Sequence, residues 1–216
     1  MVKAVIFDMD GVLVDSEGYF LELFNDMFRR HGAVPDQEIL NKTVGTSTRQ
    51  CWDILASMWP EPISESDLLA LFHEEYPVFS PEYDKLLYPE VKDVLHQLKD
   101  AGYTLALASS TQMELIQKML TLNGLEEFFS VVVTGHMFKR SKPDPEIYLY
   151  TANELGLDPA DCVAIEDSTY GILAGKHAGM TVIARRDDRY GFDRSEADAV
   201  VNDLSELPQL LEELNN

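Results

Sequence analysis

The sequence has no apolar run approaching the roughly 18 residues that a membrane-spanning helix needs, so a membrane protein is not expected. Cysteine is scarce. Cys51 and Cys162 cannot build a disulfide framework, and Cys162 lies in an apolar run that suits a buried thiol, so a reducing, cytoplasmic setting is expected. The opening "MVKAVIFDMD" reaches its acids too early for a signal peptide. Cations are few: 17 Lys and Arg stand against 38 Asp and Glu, a formal net charge of −21, and that field opposes nucleic acid and anionic lipid. An anionic small molecule is admissible only where a local cation reverses the field. The histidines, His31, His73, His96, His136 and His177, lack the short paired spacing of a zinc site. Internal repeats and low-complexity tracts are missing as well.

What is present is a chain of 216 residues, 45% apolar, enough for one sizeable domain or a domain with an insertion. Apolar, β-rich runs occupy 2–7, 104–108, 131–134, 162–165 and 181–184, with 199–201 a weaker one. Amphipathic helical patterns lie between them at 89–101, 113–122, 145–155 and 168–178, each followed closely by a glycine. This alternation predicts an α/β fold: a doubly wound, mostly parallel sheet with helices on both faces. Between 15 and 83 only helical patterns occur, which predicts an all-α insertion (15–83) in a core made of 1–14 and 84–216. Phe20, Phe24, Phe28 and Trp52 at helical spacing read as the insertion's own core.

Chemistry gathers just past the strand ends. The run "VIFDMDGVLVDSE" ends on Asp8 and Asp10, "LALASST" ends on Ser109, Ser110 and Thr111, Lys142 follows the third run in "KRSKPDPEIY", and "VAIEDS" ends on Glu166 and Asp167. A turn after the first run needs only one of its acids, yet residues at i and i+2 of an extended chain face the same side, where Asp8 and Asp10 repel unless a cation intervenes. Open parallel sheets bind ligands at the carboxyl ends of their strands. Asp8, Asp10, Glu166 and Asp167 are hard oxygen donors suited to Mg²⁺, while the Ser109–Thr111 hydroxyls and amides, near a helix start, suit phosphate oxygens. With Lys142 supplying positive charge, the set reads as a phosphoryl-transfer site.

The segments "DMDGVLVDSE", "LASST", "SKPDPEIY" and "AIEDSTYG" resemble, in order and approximate spacing, the four motifs of the haloacid dehalogenase-like superfamily, specifically its β-phosphoglucomutase-like and phosphatase branch. The resemblance covers nearly the whole chain. It implies a Rossmann-like core with a helical cap inserted after the first motif and closing over the site. It implies Asp8 as the nucleophile that forms an aspartyl phosphate, Asp10 as general acid/base and backbone-carbonyl ligand of Mg²⁺, and Asp167 as a further ligand with Glu166 beside it, in the first or second sphere. It also implies that Ser109 binds the transferring phosphate, that Lys142 steadies Asp8 and that phosphate, and that Gly11 keeps the turn tight.

The expected activity is a Mg²⁺-dependent phosphatase of small phosphorylated metabolites, with sugar phosphates foremost. Asp10 and the pair Glu166 and Asp167 argue against metal-free dehalogenation, and Lys42 reads as a surface residue where a phosphonatase places its Schiff-base lysine. A phosphomutase of the β-phosphoglucomutase type is the alternative, although Tyr19 and Phe20 stand where those enzymes carry a cap histidine. A non-catalytic phosphometabolite-binding module is the alternative from another class. Arg49, in the loop "TVGTSTRQ", is a candidate for a second phosphate or a sugar oxygen, or else a surface residue at a helix start. Lys139 and Arg140 are expected to face solvent, Asp15 to begin the first inserted helix with Ser16, and the charged loop 187–198 to have no role. A monomer is expected, with a dimer as the alternative.

Overall fold

The computed structural model of the chain describes residues 1–46, 48–76 and 81–216. In chain order, β1 (Ala4–Phe7) is followed by α1 (Glu17–Arg30), α2 (Gln37–Leu40), α3 (Thr48–Met58) and α4 (Glu65–Glu75). Then come α5 (Tyr83–Leu86), α6 (Val91–Asp100), β2 (Thr104–Ser109), α7 (Met113–Asn123), β3 (Val131–Thr134) and α8 (Glu146–Glu154). The chain ends with β4 (Cys162–Glu166), α9 (Thr169–His177), β5 (Thr181–Arg185), β6 (Ala199–Val201) and α10 (Leu207–Asn215). They form two compact units, Met1–Asp15 with Tyr83–Asn216, and Ser16–Glu82.

In the first unit the strands make a six-stranded sheet of order β3-β2-β1-β4-β5-β6, every adjacent pair parallel. Such a sheet must be covered on both faces, and the strands supply the apolar residues for this at a period of two. Val5 and Phe7, with Leu105, Leu107, Val163 and Ile165, pack under Val91, Val94, Leu95 and Leu98 of α6, Ile116 and Met119 of α7, and Leu207 and Leu211 of α10. Ala4 and Ile6, with Ala106, Ala108 and Ala164, pack under Ile147, Tyr148 and Ala152 of α8 and Ile172 and Ala174 of α9. The second face uses small residues, which lets its helices approach closely. At Gly175 of α9 an added Cβ would lie 2.7 Å from Val182 Cγ2. The result is an α/β, Rossmann-like fold.

The second unit is helical. Phe24, Met27 and Phe28 of α1 pack with Leu40, with Trp52 and Leu55 of α3, and with Leu68 and Phe72 of α4. Phe24 and Trp52 meet edge on, with ring centroids 5.8 Å apart, a geometry their quadrupoles favour. Asp36 caps α2 and Ser64 caps α4 by accepting backbone N–H groups of the first turn.

Several boundaries differ from the sequence reading. The first strand begins at Ala4, not residue 2. Helix α7 starts at Met113 with Gln112 in the capping position, so Ser109, Ser110 and Thr111 lie at the strand end and in the loop before the helix. Asp15 stands outside α1, which begins at Glu17. Its N–H donates to the Leu86 carbonyl at 2.8 Å, and its carboxylate pairs with Arg189.

Candidate active site

The site forms where β1, β2 and β4 end side by side, at the strand whose two neighbours lead the chain in opposite directions. Asp8 prolongs the ladder, its N–H donating to the Ile165 carbonyl at 3.0 Å, and its side chain is buried. The chain then turns through Gly11, whose φ of +73° favours glycine. A second constraint acts there: a Cβ on Gly11 would lie 2.0 Å from Asp167 Oδ2.

Lys142 comes in from the loop before α8 and is buried with its charge paired. Its ammonium donates to Asp8 Oδ1 at 2.8 Å and to Glu166 Oε1 at 2.6 Å. Glu166 is fully enclosed. Its Oε1 also accepts the Tyr148 hydroxyl at 2.6 Å, while Oε2 accepts the Asp167 N–H at 3.2 Å and the Ser168 hydroxyl at 3.4 Å. The Tyr148 ring lies against Lys142, with Nζ 5.1 Å from the ring centroid. A Cβ at Gly171, in the first turn of α9, would fall 2.0 Å from the Glu166 carboxylate, so the helix leaves this acid its place only by having glycine there.

On the other side of Asp8, Thr111 donates its hydroxyl to Asp10 Oδ2 at 2.6 Å and its N–H to Ser109 Oγ at 3.1 Å. The Thr134 hydroxyl, at the end of β3, donates to the Thr111 carbonyl at 2.6 Å. Ser109 is buried, and Ser110 lies half-buried beside Gly135.

Charge is concentrated here beyond what Lys142 balances. Burial pushes the Asp8 carboxyl up, against the pull of Lys142, and the negative charges of Glu166 and Asp10 add to it, leaving Asp8 at about 7. For Lys142, burial by itself would favour loss of the proton, but the charges of Asp8 and Glu166 outweigh it and hold the ammonium well above its ordinary range. Burial and the Glu166 charge also keep Tyr148 protonated, its pKa well above the ordinary phenol range. Asp8, Glu166 and Asp167 offer oxygens that all lie within 4.8 Å of one another. Three buried carboxylates facing one ammonium fit a small divalent cation, and the all-oxygen donor set suits Mg²⁺.

Asp8, Asp10, Ser109, Thr111, Lys142, Glu166 and Asp167 are thus linked by direct contacts or a shared pocket. Arg49 is exposed in the first turn of α3, in the helical unit, and Lys42 is likewise exposed there. Ser47, within the loop 43–50, lies outside the described residues. Lys139 and Arg140 are exposed, Arg140 pairing with Asp144 at 2.9 Å. Tyr148 and Thr134 were not singled out by the sequence. Tyr148 sits in "SKPDPEIY" but reads as helix core beside Ile147, and Thr134 reads as a strand terminus. The loop 187–198 does have a structural role: Arg189 bridges Asp187 and Asp15 at 2.6 and 2.7 Å. Beside it the Arg185 guanidinium covers the Tyr88 ring at 3.6 Å and donates to the Gly11 carbonyl at 3.3 Å.

The haloacid dehalogenase-like hydrolase family model matches residues 5–185. The chain is 35% identical over 181 residues to a phosphorylated carbohydrates phosphatase of Thermotoga maritima, covering 83% of this chain and 82% of the relative. It is 30% identical over 215 residues to hexitol phosphatase B of Escherichia coli, covering 95% of this chain and 94% of the relative. Among solved structures it is similar to CbbY of Rhodobacter sphaeroides in complex with xylulose-(1,5)-bisphosphate, with a TM-score of 0.79 and 27% identity over 96% of each chain. The chain belongs to the haloacid dehalogenase-like hydrolase family.

Proposed function

We propose that this haloacid dehalogenase-like hydrolase is a Mg²⁺-dependent phosphatase of small phosphorylated metabolites, sugar phosphates foremost, working through an aspartyl phosphate on Asp8. The observation that carries the reading is Lys142 held by Glu166 against Asp8, two members of a cluster of three buried carboxylates completed by Asp167. The names of the two phosphatase relatives support the reaction and the substrate class.

In the first step a carboxylate oxygen of Asp8 attacks phosphorus, the bond from phosphorus to the ester oxygen breaks, and Asp10 gives that oxygen its proton, releasing an alcohol. In the second, Asp10 takes a proton from water as the water oxygen attacks the phosphoryl group. The phosphorus bond to Asp8 then breaks, releasing inorganic phosphate and restoring both acids. Lys142 neutralises charge on Asp8 and on the incoming phosphoryl oxygens, and Ser109 with the amides of its loop orients that group. Mg²⁺ would be held by Asp8, the Asp10 backbone carbonyl and Asp167, and when bound it supplies further neutralisation of the phosphoryl charge. Glu166, with both oxygens engaged, serves as the anchor of Lys142.

Phosphate monoesters demand accelerations of up to ~10²¹, on the order of 28 kcal/mol, of which proton transfer supplies only ~10²–10⁴. Positioning and electrostatics must provide most of the remainder, which accounts for so much buried charge. The test is phosphate release from a panel of phosphorylated metabolites and p-nitrophenyl phosphate with Mg²⁺, using parent and Asp8→Asn. Loss of at least about 10³-fold in Asp8→Asn is expected of a missing nucleophile; substantial residual turnover would sink the assignment. Conversion of β-glucose 1-phosphate to glucose 6-phosphate without free phosphate would instead identify a mutase.

A further inference from the structure

We infer that Thr111 is the positioning residue of the general acid/base, and that Thr134 fixes Thr111 in turn. This rests on the phosphatase reading above and changes the part Thr111 plays in it, from a phosphate ligand to the partner of Asp10. The Thr111 hydroxyl donates to Asp10 Oδ2 at 2.6 Å, joining two residues 101 positions apart in sequence. Its carbonyl accepts the Thr134 hydroxyl at 2.6 Å, and its N–H donates to Ser109 Oγ at 3.1 Å. Donor and acceptor atoms of one loop residue are therefore tied to the ends of three neighbouring strands, β1 through Asp10, β2 through Ser109 and β3 through Thr134.

The consequence is chemical. A hydroxyl donating to Oδ2 favours the unprotonated, carbonyl-like oxygen there, so the exchangeable proton of a protonated Asp10 belongs on Oδ1. Oδ1 then delivers that proton to the ester oxygen when Asp8 attacks, and recovers one from water in the second step. Without Thr111 the carboxyl group loses the contact that sets Oδ2 apart from Oδ1, which lowers the fraction of encounters aligned for proton transfer.

The two roles open to Thr111 predict different dependence on the leaving group. The phosphoryl group is the same in every monoester, so a residue that binds it would be missed equally by all substrates. A residue that aims Asp10 would be missed only where the departing oxygen needs a proton. p-Nitrophenolate departs as a stable anion, phenolate less readily, and an alkoxide hardly at all without protonation.

The experiment measures kcat/KM for p-nitrophenyl phosphate, phenyl phosphate and glucose 6-phosphate in the parent, Thr111→Val, Thr111→Ser and Thr134→Val, with melting curves for each. For Thr111→Val we expect a fall of about 10- to 100-fold with glucose 6-phosphate and less than about threefold with p-nitrophenyl phosphate, phenyl phosphate lying between, a range set by what general acid catalysis contributes. Thr111→Ser keeps the hydroxyl and should restore the parent profile. Thr134→Val should show the same ordering with smaller losses, and it carries the test if Thr111→Val fails to fold. An equal loss with all three esters, or no loss with any, overturns the inference while leaving the phosphatase intact. A parent that releases phosphate from none of them overturns the phosphatase reading, and this inference with it.

Discussion

Asp8 is held in a state the unfolded chain would not choose. Its carboxyl is pushed up to about 7 by burial and by Glu166 and Asp10, against an ordinary value near 3.9. Between about pH 4 and pH 7 the folded protein therefore keeps a proton that the unfolded chain has lost, and stability from this residue falls as pH rises through that window. Asp8→Asn removes the ionisable group. In the absence of divalent cation it should be more stable than the parent at pH 8 by on the order of 2 kcal/mol, and so melt higher there, and melt level with it near pH 4. That is below the roughly 4 kcal/mol that three pH units would give, because Lys142 loses a partner in the same substitution. Thermal melts across pH 4–8 check it; parallel curves for the two proteins would show that Asp8 carries no such burden. Adding Mg²⁺ should raise the parent selectively. The spacing of Asp8 and Asp10 made the mutual repulsion of their charges legible in the sequence, since i and i+2 share a side of an extended chain, and the Asp10 charge is among the causes that raise Asp8. The bond from Thr111 to Asp10 was not legible, because 101 residues of chain separate its ends.

At the level of elements, the decisive contact is between α9 and the end of β4. Ser168 caps the helix by accepting the Gly171 N–H at 3.1 Å, and that first turn covers the Glu166 carboxylate. Gly171→Ala would place a methyl group 2.0 Å from that carboxylate, with backbone on the methyl's own side to hold it there. We expect about 1–3 kcal/mol of destabilisation from overpacking, and a disproportionate fall in kcat as Glu166 is driven from Lys142 and Tyr148. Gly179→Ala supplies the comparison. Its φ of +80° makes it strained, but nothing lies within 4 Å of the added Cβ, so it should lower the melting temperature and leave kcat unchanged. Equal kcat losses in both would contradict the account. The helices and strands were readable from apolar period and glycine stops. Their packing partners were not, because a buried stripe says that a face is covered and not by what.

For the whole molecule the governing quantity is the net charge of −21. If the proposed reading holds, an anionic phosphate ester approaches against that field until it meets the charge of Lys142 and of any cation held at the site. Screening should therefore help. Between ionic strengths of 0.01 and 0.15 M the Debye length shrinks from about 30 to about 8 Å, and kcat/KM for a sugar phosphate should rise several-fold at constant free Mg²⁺. A fall over the same range would mean that local cations, not the overall charge, set the encounter. The loop 187–198 belongs to this scale too. It reads as featureless charge in sequence, yet Arg189 joins Asp187 to Asp15, two residues far apart along the chain.

The alternation of apolar runs and amphipathic helices is a local property, and by itself it determined the parallel, doubly wound core, the position of the helical insertion and the strand ends where Asp8, Ser109 and Glu166 stand. Residue type alone marked the carboxylates as hard ligands and Lys142 as their counter-charge. Only the tertiary structure decided which of those groups meet. Which oxygen of Glu166 meets Lys142 and Tyr148, that the Thr111 hydroxyl meets Asp10, and that glycines at 11 and 171 make room for Asp167 and Glu166 all depend on distances between segments remote in sequence. Such distances are set by the packing of whole elements, and no local pattern along the chain records them.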